Sequence, residues 1–308
     1  MHRMETRDFS KGAAWIRGNV VPIGEATIGV TDWAVTHSDA TYDVVPVWRG
    51  AFFRLVDYLD RFEASMRAYH MDVGLDRAAI SDALALMVGQ SGLRDAYCAM
   101  VAARGVPLIP GSRDPRDCGN HFYAWCVPYI HVVKPEVAER GVAVCLSEHT
   151  RRIPPDSVNP RAKNYHWGDF TAGLFEAKAA GFETVLLPDH VGNVTEGPGF
   201  NLFILKGGTI VTPLSGVLHG ITRLTAMELA REAGFSVEAR ALPVAELMEA
   251  DEVFLTTSGG GVVPVRQVND RVFSNGSAGP VATRLRLAYF GRLEDPDYRT
   301  PIDYSDRA

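Results

Sequence analysis

The chain has 308 residues, 46 % of them hydrophobic and 22 % charged, with a formal net charge of −6. This profile fits a globular protein long enough for two domains, and the acidic balance gives no general attraction for nucleic acid or anionic membrane. No apolar run approaches the roughly 18 residues of a membrane span, and the opening MHRMETRDFSKG has no apolar signal core, which predicts a cytoplasmic protein.

In chain order, residues 13–30 read as short strands broken by Gly18 and Gly24. TYDVVPVW at 41–48, the turn Arg49-Gly50 and the following AFFRL predict a hairpin. Leu55, Leu59, Phe62 and Met66 share one stripe and predict a helix over 56–69, and RAAISDALALMVGQ predicts another over 77–90. Residues 95–104 and 121–133 read as strands joined by the loop GVPLIPGSRDPRDCGN. A domain boundary is expected near Pro128–Pro135, giving domains 1–130 and 131–308.

The second half predicts a strand over 141–147, the loop RRIPPDSVNP, and a helix over 169–180 closed by Gly181. Strand TVLLP, loop DHVGNVTEGPG, strand FNLFILK, turn Gly207-Gly208 and strand TIVTP follow, then a helix from about Ile221 to Ala233 ending at Gly234. Strand VEARAL, helix VAELMEA, strand EVFLTTS and Gly259–Gly261 come last. Runs of strands with helices set between them suggest α+β or α/β halves, not one doubly wound sheet.

Several positions carry chemistry. Gly220 precedes a predicted helix whose first turn holds Ile221 and Thr222, and such a start offers free N–H groups to phosphate or serves only as an ordinary helix end. FLTTSGGG brings Thr256, Thr257 and Ser258 ahead of three glycines, either a phosphate-binding turn or a flexible strand exit. Glu196 lies in a Gly/Pro loop, where an exposed acid is the plain expectation. Arg61 sits off the apolar stripe of its helix and reads as solvated or salt-bridged, and His37 and Tyr42 beside the hairpin read as packing. Lys163 differs from the other lysines. In NPRAKNYHWGDF it lies among Asn, Tyr, His and Trp, where partial burial disfavours the ammonium and a neutral amine can form a Schiff base. A candidate Schiff-base lysine, an acid and two candidate anion cradles together suggest pyridoxal phosphate. Four cysteines (Cys98, Cys118, Cys126, Cys145) lack CxxC spacing and read as buried thiols, and the histidines show no paired-ligand pattern, so no metal is expected.

The order K-N-Y, E-G-x-G-x-N-L-F, G-I-T-R, F-x-T-T, at Lys163, Glu196, Gly220 and Phe254 onward, resembles the fold-type IV pyridoxal-phosphate enzymes, over roughly residues 13–304. These include branched-chain and D-amino-acid transaminases, aminodeoxychorismate lyase and (R)-selective amine transaminases. The resemblance implies a smaller N-terminal α/β domain and a larger C-terminal domain with a β-barrel-like core. It implies that Lys163 is the Schiff-base lysine and proton carrier, that Glu196 meets the pyridine nitrogen, and that Leu218 packs on the ring. Arg61, Ile221, Thr222, Thr256 and Thr257 would bind the cofactor, chiefly its phosphate.

HSDATYDVVPVW at 37–48 and WGD at 167–169 are most similar to the (R)-selective amine transaminases. That likeness implies transfer from an (R)-configured primary amine to a keto acid such as pyruvate. It lines the substrate pocket with His37, Tyr42, Val44, Tyr97 and Trp167, with Ser258 and Gly259 beside them. It also implies a homodimer with active sites near the subunit interface. D-amino-acid or branched-chain transaminase, or a lyase, are the alternatives. The arginine those amine enzymes carry in the loop after Arg104-Gly105 is replaced by Pro110, with Arg113 or Arg116 as possible substitutes for binding the keto-acid carboxylate.

Overall fold

The computed structural model describes residues 9–305; most of the opening segment read above for a signal core lies outside them. The chain divides into two units. One takes the described residues up to Ile130 together with Ala162–Tyr165 and the described residues from Leu293 on; the other takes His131–Arg161 and His166–Arg292. The four residues around Lys163 and the described residues from Leu293 on thus group with the residues that precede His131.

The first unit holds strands β1 (Ala13–Ile16), β2 (Asn19–Pro22), β3 (Ala40–Trp48), β4 (Ala51–Phe53), β5 (Ala96–Ala103) and β6 (His121–Pro128), and helices α1 (Trp33–Thr36), α2 (Leu55–Ala68) and α3 (Arg77–Ser91). With Arg299–Pro301 its strands form a sheet in the order 299–301, β4, β3, β5, β6, β1, β2, antiparallel throughout. The β3–β4 turn is tight because Arg49 and Gly50 both take positive φ, the requirement of a two-residue hairpin that matches sheet twist. β3 is long and almost wholly buried, so successive side chains face two different interiors. Asp76 caps α3 by accepting from the Ala79 amide, and Gly92 ends it in the left-handed conformation. The expected strand over 121–133 stops at Pro128, whose ring removes a ladder donor.

The second unit holds α4 (Pro135–Arg140), β7 (Val142–Leu146), α5 (Gly168–Ala179), β8 (Thr184–Leu186), β9 (Glu196–Gly197), β10 (Phe200–Lys206), β11 (Thr209–Pro213), α6 (Ile221–Glu232), β12 (Ser236–Arg240), α7 (Val244–Met248), β13 (Glu252–Thr257), β14 (Gly261–Val268), β15 (Arg271–Val272) and α8 (Pro280–Arg292). Its sheet runs β12, β11, β10, β13, β14, β7, β8, with β9 on β10 and β15 on β14. It is mixed: β11 with β12, and β7 with β8 and β14, pair in parallel. The β11–β12 and β7–β8 connections carry α6 and α5, the crossovers that parallel strands need. Phe203 and Phe254, opposite each other on β10 and β13, stack at 4.9 Å, a pair worth about 1 kcal/mol beyond its area. No helix among the described residues is long and apolar enough to cross a membrane.

Candidate functional site

The candidate residues fall into two sets, one in each unit. In the first, Lys163 is held by its backbone. Its carbonyl accepts from Thr41 Oγ1 at 2.6 Å and from the Tyr42 amide at 3.1 Å, and its amide donates to Ser65 Oγ at 3.2 Å. These anchors come from β3 and α2, some hundred residues away. The half-buried side chain places Nζ 4.4 Å from the centre of the Tyr42 ring, whose negative face attracts a cation. Tyr165 stacks on Tyr42 at 4.1 Å, nearly coplanar.

Tyr42 and Val44 share a buried cluster with Ala40, Ala99 and Val101, against which Tyr97, Tyr123, Trp125 and Tyr165 pack. Burial pushes the hydroxyls of Tyr97 and Tyr165 well above their ordinary range, and that of Tyr123 up to about 12. All stay neutral at working pH, so Lys163 sits on an aromatic wall. Asp43, one residue along β3, faces the other way. Fully buried, it receives Arg61 as a fork: Nε to Oδ2 at 2.8 Å and Nη2 to Oδ1 at 2.6 Å. Burial alone would lower the Arg61 pKa, but Asp43 outweighs it and leaves the pKa raised. His37 is exposed and engages its own segment, with Nδ1 2.7 Å from Thr36 Oγ1 and its ring beside Trp33. Arg104 is buried and spent on Asp39 and on the carbonyls of Tyr69 and His70. Arg113 and Arg116 are exposed, and Arg116 is paired with Asp114.

In the second set Glu196 is a buried residue of β9, not the exposed loop acid its sequence context predicts. Oε2 accepts from the Leu218 amide at 2.9 Å and Asn201 Nδ2 at 3.3 Å, while Oε1 faces the Arg152 guanidinium. Register lines up Glu196, Asn201 and Thr256 across β9, β10 and β13. Asn201 Nδ2 also donates to the Leu218 carbonyl, and a Cβ on Gly220 would meet Asn201 Oδ1 at 2.3 Å, so only glycine permits this approach. Gly220 gives α6 no side-chain cap, which leaves the amides of its first turn open. Thr222 Oγ1 and Thr256 Oγ1 are buried without a hydrogen-bond partner in the chain. Buried hydroxyls are normally satisfied, so two orphans beside an uncapped helix start fit an anionic group such as a cofactor phosphate. Thr257 Oγ1 is bonded by the Gly259 amide at 3.3 Å, with Ser258 half-buried between them. Trp167 precedes α5, set edge-on to Phe170.

Asp43, Arg152, Asn201 and Tyr165 were not assigned from sequence. Tyr165 and Asn201 stand inside the recognised motifs. Nothing local marks Asp43 or Arg152, because their partners lie 18 and 44 residues away.

Residues 40–268 match the family model described as amino-transferase class IV. A putative branched-chain-amino-acid aminotransferase of Methanocaldococcus jannaschii is 30 % identical over 275 residues, covering 88 % of this chain and 93 % of the relative. A branched-chain-amino-acid aminotransferase of Pseudomonas aeruginosa is 29 % identical over 91 % of this chain and 92 % of its own length. Among solved structures, the branched-chain amino acid aminotransferase from Thermobaculum terrenum in its PLP form superposes with a TM-score of 0.83 at 26 % identity, covering 94 % of this chain and 98 % of that one. Fold and relatives together define a pyridoxal-phosphate enzyme of mixed α/β architecture. The chain belongs to the class IV aminotransferases, and its activity is transfer of an amino group.

Proposed function

We propose that this aminotransferase moves the amino group of an (R)-configured primary amine with a bulky apolar substituent to a keto acid such as pyruvate. The observation that carries the reading is the aromatic wall of Tyr42, Tyr97, Tyr123, Trp125 and Tyr165 around Lys163, with Val44 beside it. Such a wall suits an aryl or alkyl group and gives no counter-charge to a second carboxylate. The segment HSDATYDVVPVW supports the amine over the amino acid.

Pyridoxal phosphate supplies an aldehyde for the incoming amine and a ring that draws electrons from its α-carbon. The chain's own groups do the rest. Lys163 Nζ would hold the cofactor between turnovers and, once freed, would take and return the proton of the substrate α-carbon. Its backbone anchors keep the amine in place while it is free. Glu196 would meet the ring nitrogen as an anion and would favour its protonated form. By likeness to the family, Arg61, the α6 start at Ile221 and Thr222, and the hydroxyls of Thr256 and Thr257 would bind the phosphate, and Leu218 would pack against the ring. Trp167, His37, Ser258 and Gly259 border the substrate. A homodimer is part of this reading, by likeness to the family.

A second reading, transfer from branched-chain L-amino acids, is favoured by the names of the relatives. The test is the visible absorption of the holoenzyme during single half-reactions with (R)-1-phenylethylamine, its (S) enantiomer, D-alanine and L-leucine. Bleaching by the (R)-amine alone supports the proposal. Bleaching by L-leucine alone replaces it with the branched-chain reading, and by D-alanine alone with a D-amino-acid enzyme. Lys163→Ala loses the yellow band and roughly 10³-fold or more in rate.

A further inference from the structure

Arg152 lies in the RRIPPD segment after β7, where the sequence shows only a loop. Its guanidinium joins two acids. Nη1 donates to Asp169 Oδ2 at 2.6 Å, while Nε and Nη2 reach Glu196 Oε1 at 3.3 and 3.2 Å. All three side chains are less than a tenth exposed. Phe170 covers the guanidinium at 4.2 Å, and Asp169 is itself fixed by the amide of Ile153 at 2.9 Å. Arg223 of α6 also acts on Glu196, but its guanidinium is bonded to Thr212 Oγ1 and the Pro213 carbonyl.

The charge count is informative. Asp169, Arg152 and Glu196 sum to one negative charge in a dry site. Without the cation, two carboxylates would share that space, and mutual repulsion plus desolvation would drive one of them to take a proton. Asp169 keeps two amide donors, from Ile153 and Phe170. Glu196 also keeps two, the Leu218 amide at 2.9 Å and Asn201 Nδ2 at 3.3 Å, but both fall on Oε2 and one is long, whereas those of Asp169 lie at 2.9 and 2.8 Å with one on each oxygen, so Glu196 is the acid that gives way.

We propose that Arg152 is a positioning residue for Glu196: it keeps that carboxylate ionised and turned so that a single negative charge is presented to the cofactor's ring nitrogen. The inference rests on the reading of Glu196 given above. Arg152 touches neither substrate nor cofactor in this scheme. Its effect travels through Glu196, and loss of Arg152 therefore copies loss of the Glu196 charge.

The experiment uses the full chain reconstituted with pyridoxal phosphate, as wild type, E196Q, R152Q, R152K, R152Q/E196Q and R152Q/D169N. The readouts are the pH midpoint at which the visible band of the bound cofactor changes, the rate of cofactor release on dilution, and melting of the cofactor-free protein. E196Q and R152Q are expected to move the midpoint in the same direction by about one unit, and to speed release roughly tenfold. R152Q/E196Q should go no further than E196Q alone. R152K, which keeps the charge but loses the two-point hold, should fall between wild type and R152Q. R152Q/D169N removes the competing acid and should recover at least about half of the shift, a rescue that an arginine needed only for packing would not show. A wild-type midpoint in R152Q or in R152K, with E196Q shifted, overturns the inference and leaves Glu196's role intact. Failure of R152Q/D169N to recover any of the shift also overturns it. A wild-type midpoint in E196Q removes the reading of Glu196 and this inference with it. If R152Q does not fold, R152K and R152Q/D169N are read against wild type and E196Q: both are expected to lie between the two, and a wild-type midpoint in R152K, or an R152Q/D169N midpoint as far shifted as E196Q, overturns the inference.

Discussion

The two units prepare their candidate groups in opposite ways. In the first, the groups are tied before any ligand arrives. Lys163 is anchored through its backbone to β3 and α2, and Arg61 is clamped on a buried Asp43. In the second, the anionic group is fixed but the donors are left open. Glu196 accepts from three partners, whereas Thr222 Oγ1, Thr256 Oγ1 and the first turn of α6 have none within the chain. A charge left unpaired in a dry interior costs far more than an unpaired hydroxyl. Charged groups must therefore carry their own partners, and only neutral donors can be held in reserve for a ligand. The open hydroxyls thus point to the phosphate more directly than the arginine does.

Removing a clamp should cost stability, and removing a reserve should cost only ligand affinity. Asp43→Asn tests the first statement and carries the largest effect. It leaves Arg61 buried without its counter-ion, so the denaturant midpoint of the cofactor-free protein should fall by the equivalent of about 3 kcal/mol. A loss below about 1 kcal/mol would show that the pair is not a clamp. Thr222→Val tests the second. The cofactor-free protein should melt at or slightly above the wild-type temperature, because an unsatisfied hydroxyl has been removed. Pyridoxal-phosphate affinity should fall roughly tenfold, about 1.4 kcal/mol. Destabilisation of the cofactor-free protein by more than about 1 kcal/mol would mean the hydroxyl serves the fold. The smallest effect concerns His219, beside the open helix start. Burial lowers its pKa below the ordinary 6.5. The unfolded chain therefore binds that proton first, and the His219 contribution is complete above about pH 6.5 and lost as pH falls below it. His219→Gln should flatten the acid side of a melting-temperature profile between pH 7 and 5. An unchanged slope would show that His219 titrates as it does in the unfolded chain.

Local grammar explains what was legible in the sequence. The hairpin at Arg49-Gly50, the stripe of α2, the glycine before α6 and the run of hydroxyls in β13 are set by residues within a few positions of each other, so pattern and turn chemistry suffice. Lys163 stood out because its neighbours are aromatic and amide side chains instead of the usual charges. The motifs around Lys163, Glu196, Gly220 and Phe254 then gave the family, and with it pyridoxal phosphate. Residues 262–304 carry β14, β15, α8 and the strand 299–301, none of which was read from the pattern. The mixed character of the second sheet was also out of reach, because strand order depends on long-range pairing.

By itself, then, the sequence determined the order of most elements and the cofactor class, and it singled out the candidate lysine. Tertiary structure alone decided which charges are buried and what neutralises them. Glu196 changed from an exposed loop acid to a buried carboxylate because register sets it beside Asn201 and because Arg152, 44 residues earlier, folds onto it. Arg61 became half of a buried pair because β3 alternates its side chains and turns Asp43 towards α2. The physical reason is the same in both cases. The energy of a charge depends on its distance to other charges and on how much water remains around it, and both are properties of the folded chain that no short stretch of residues contains.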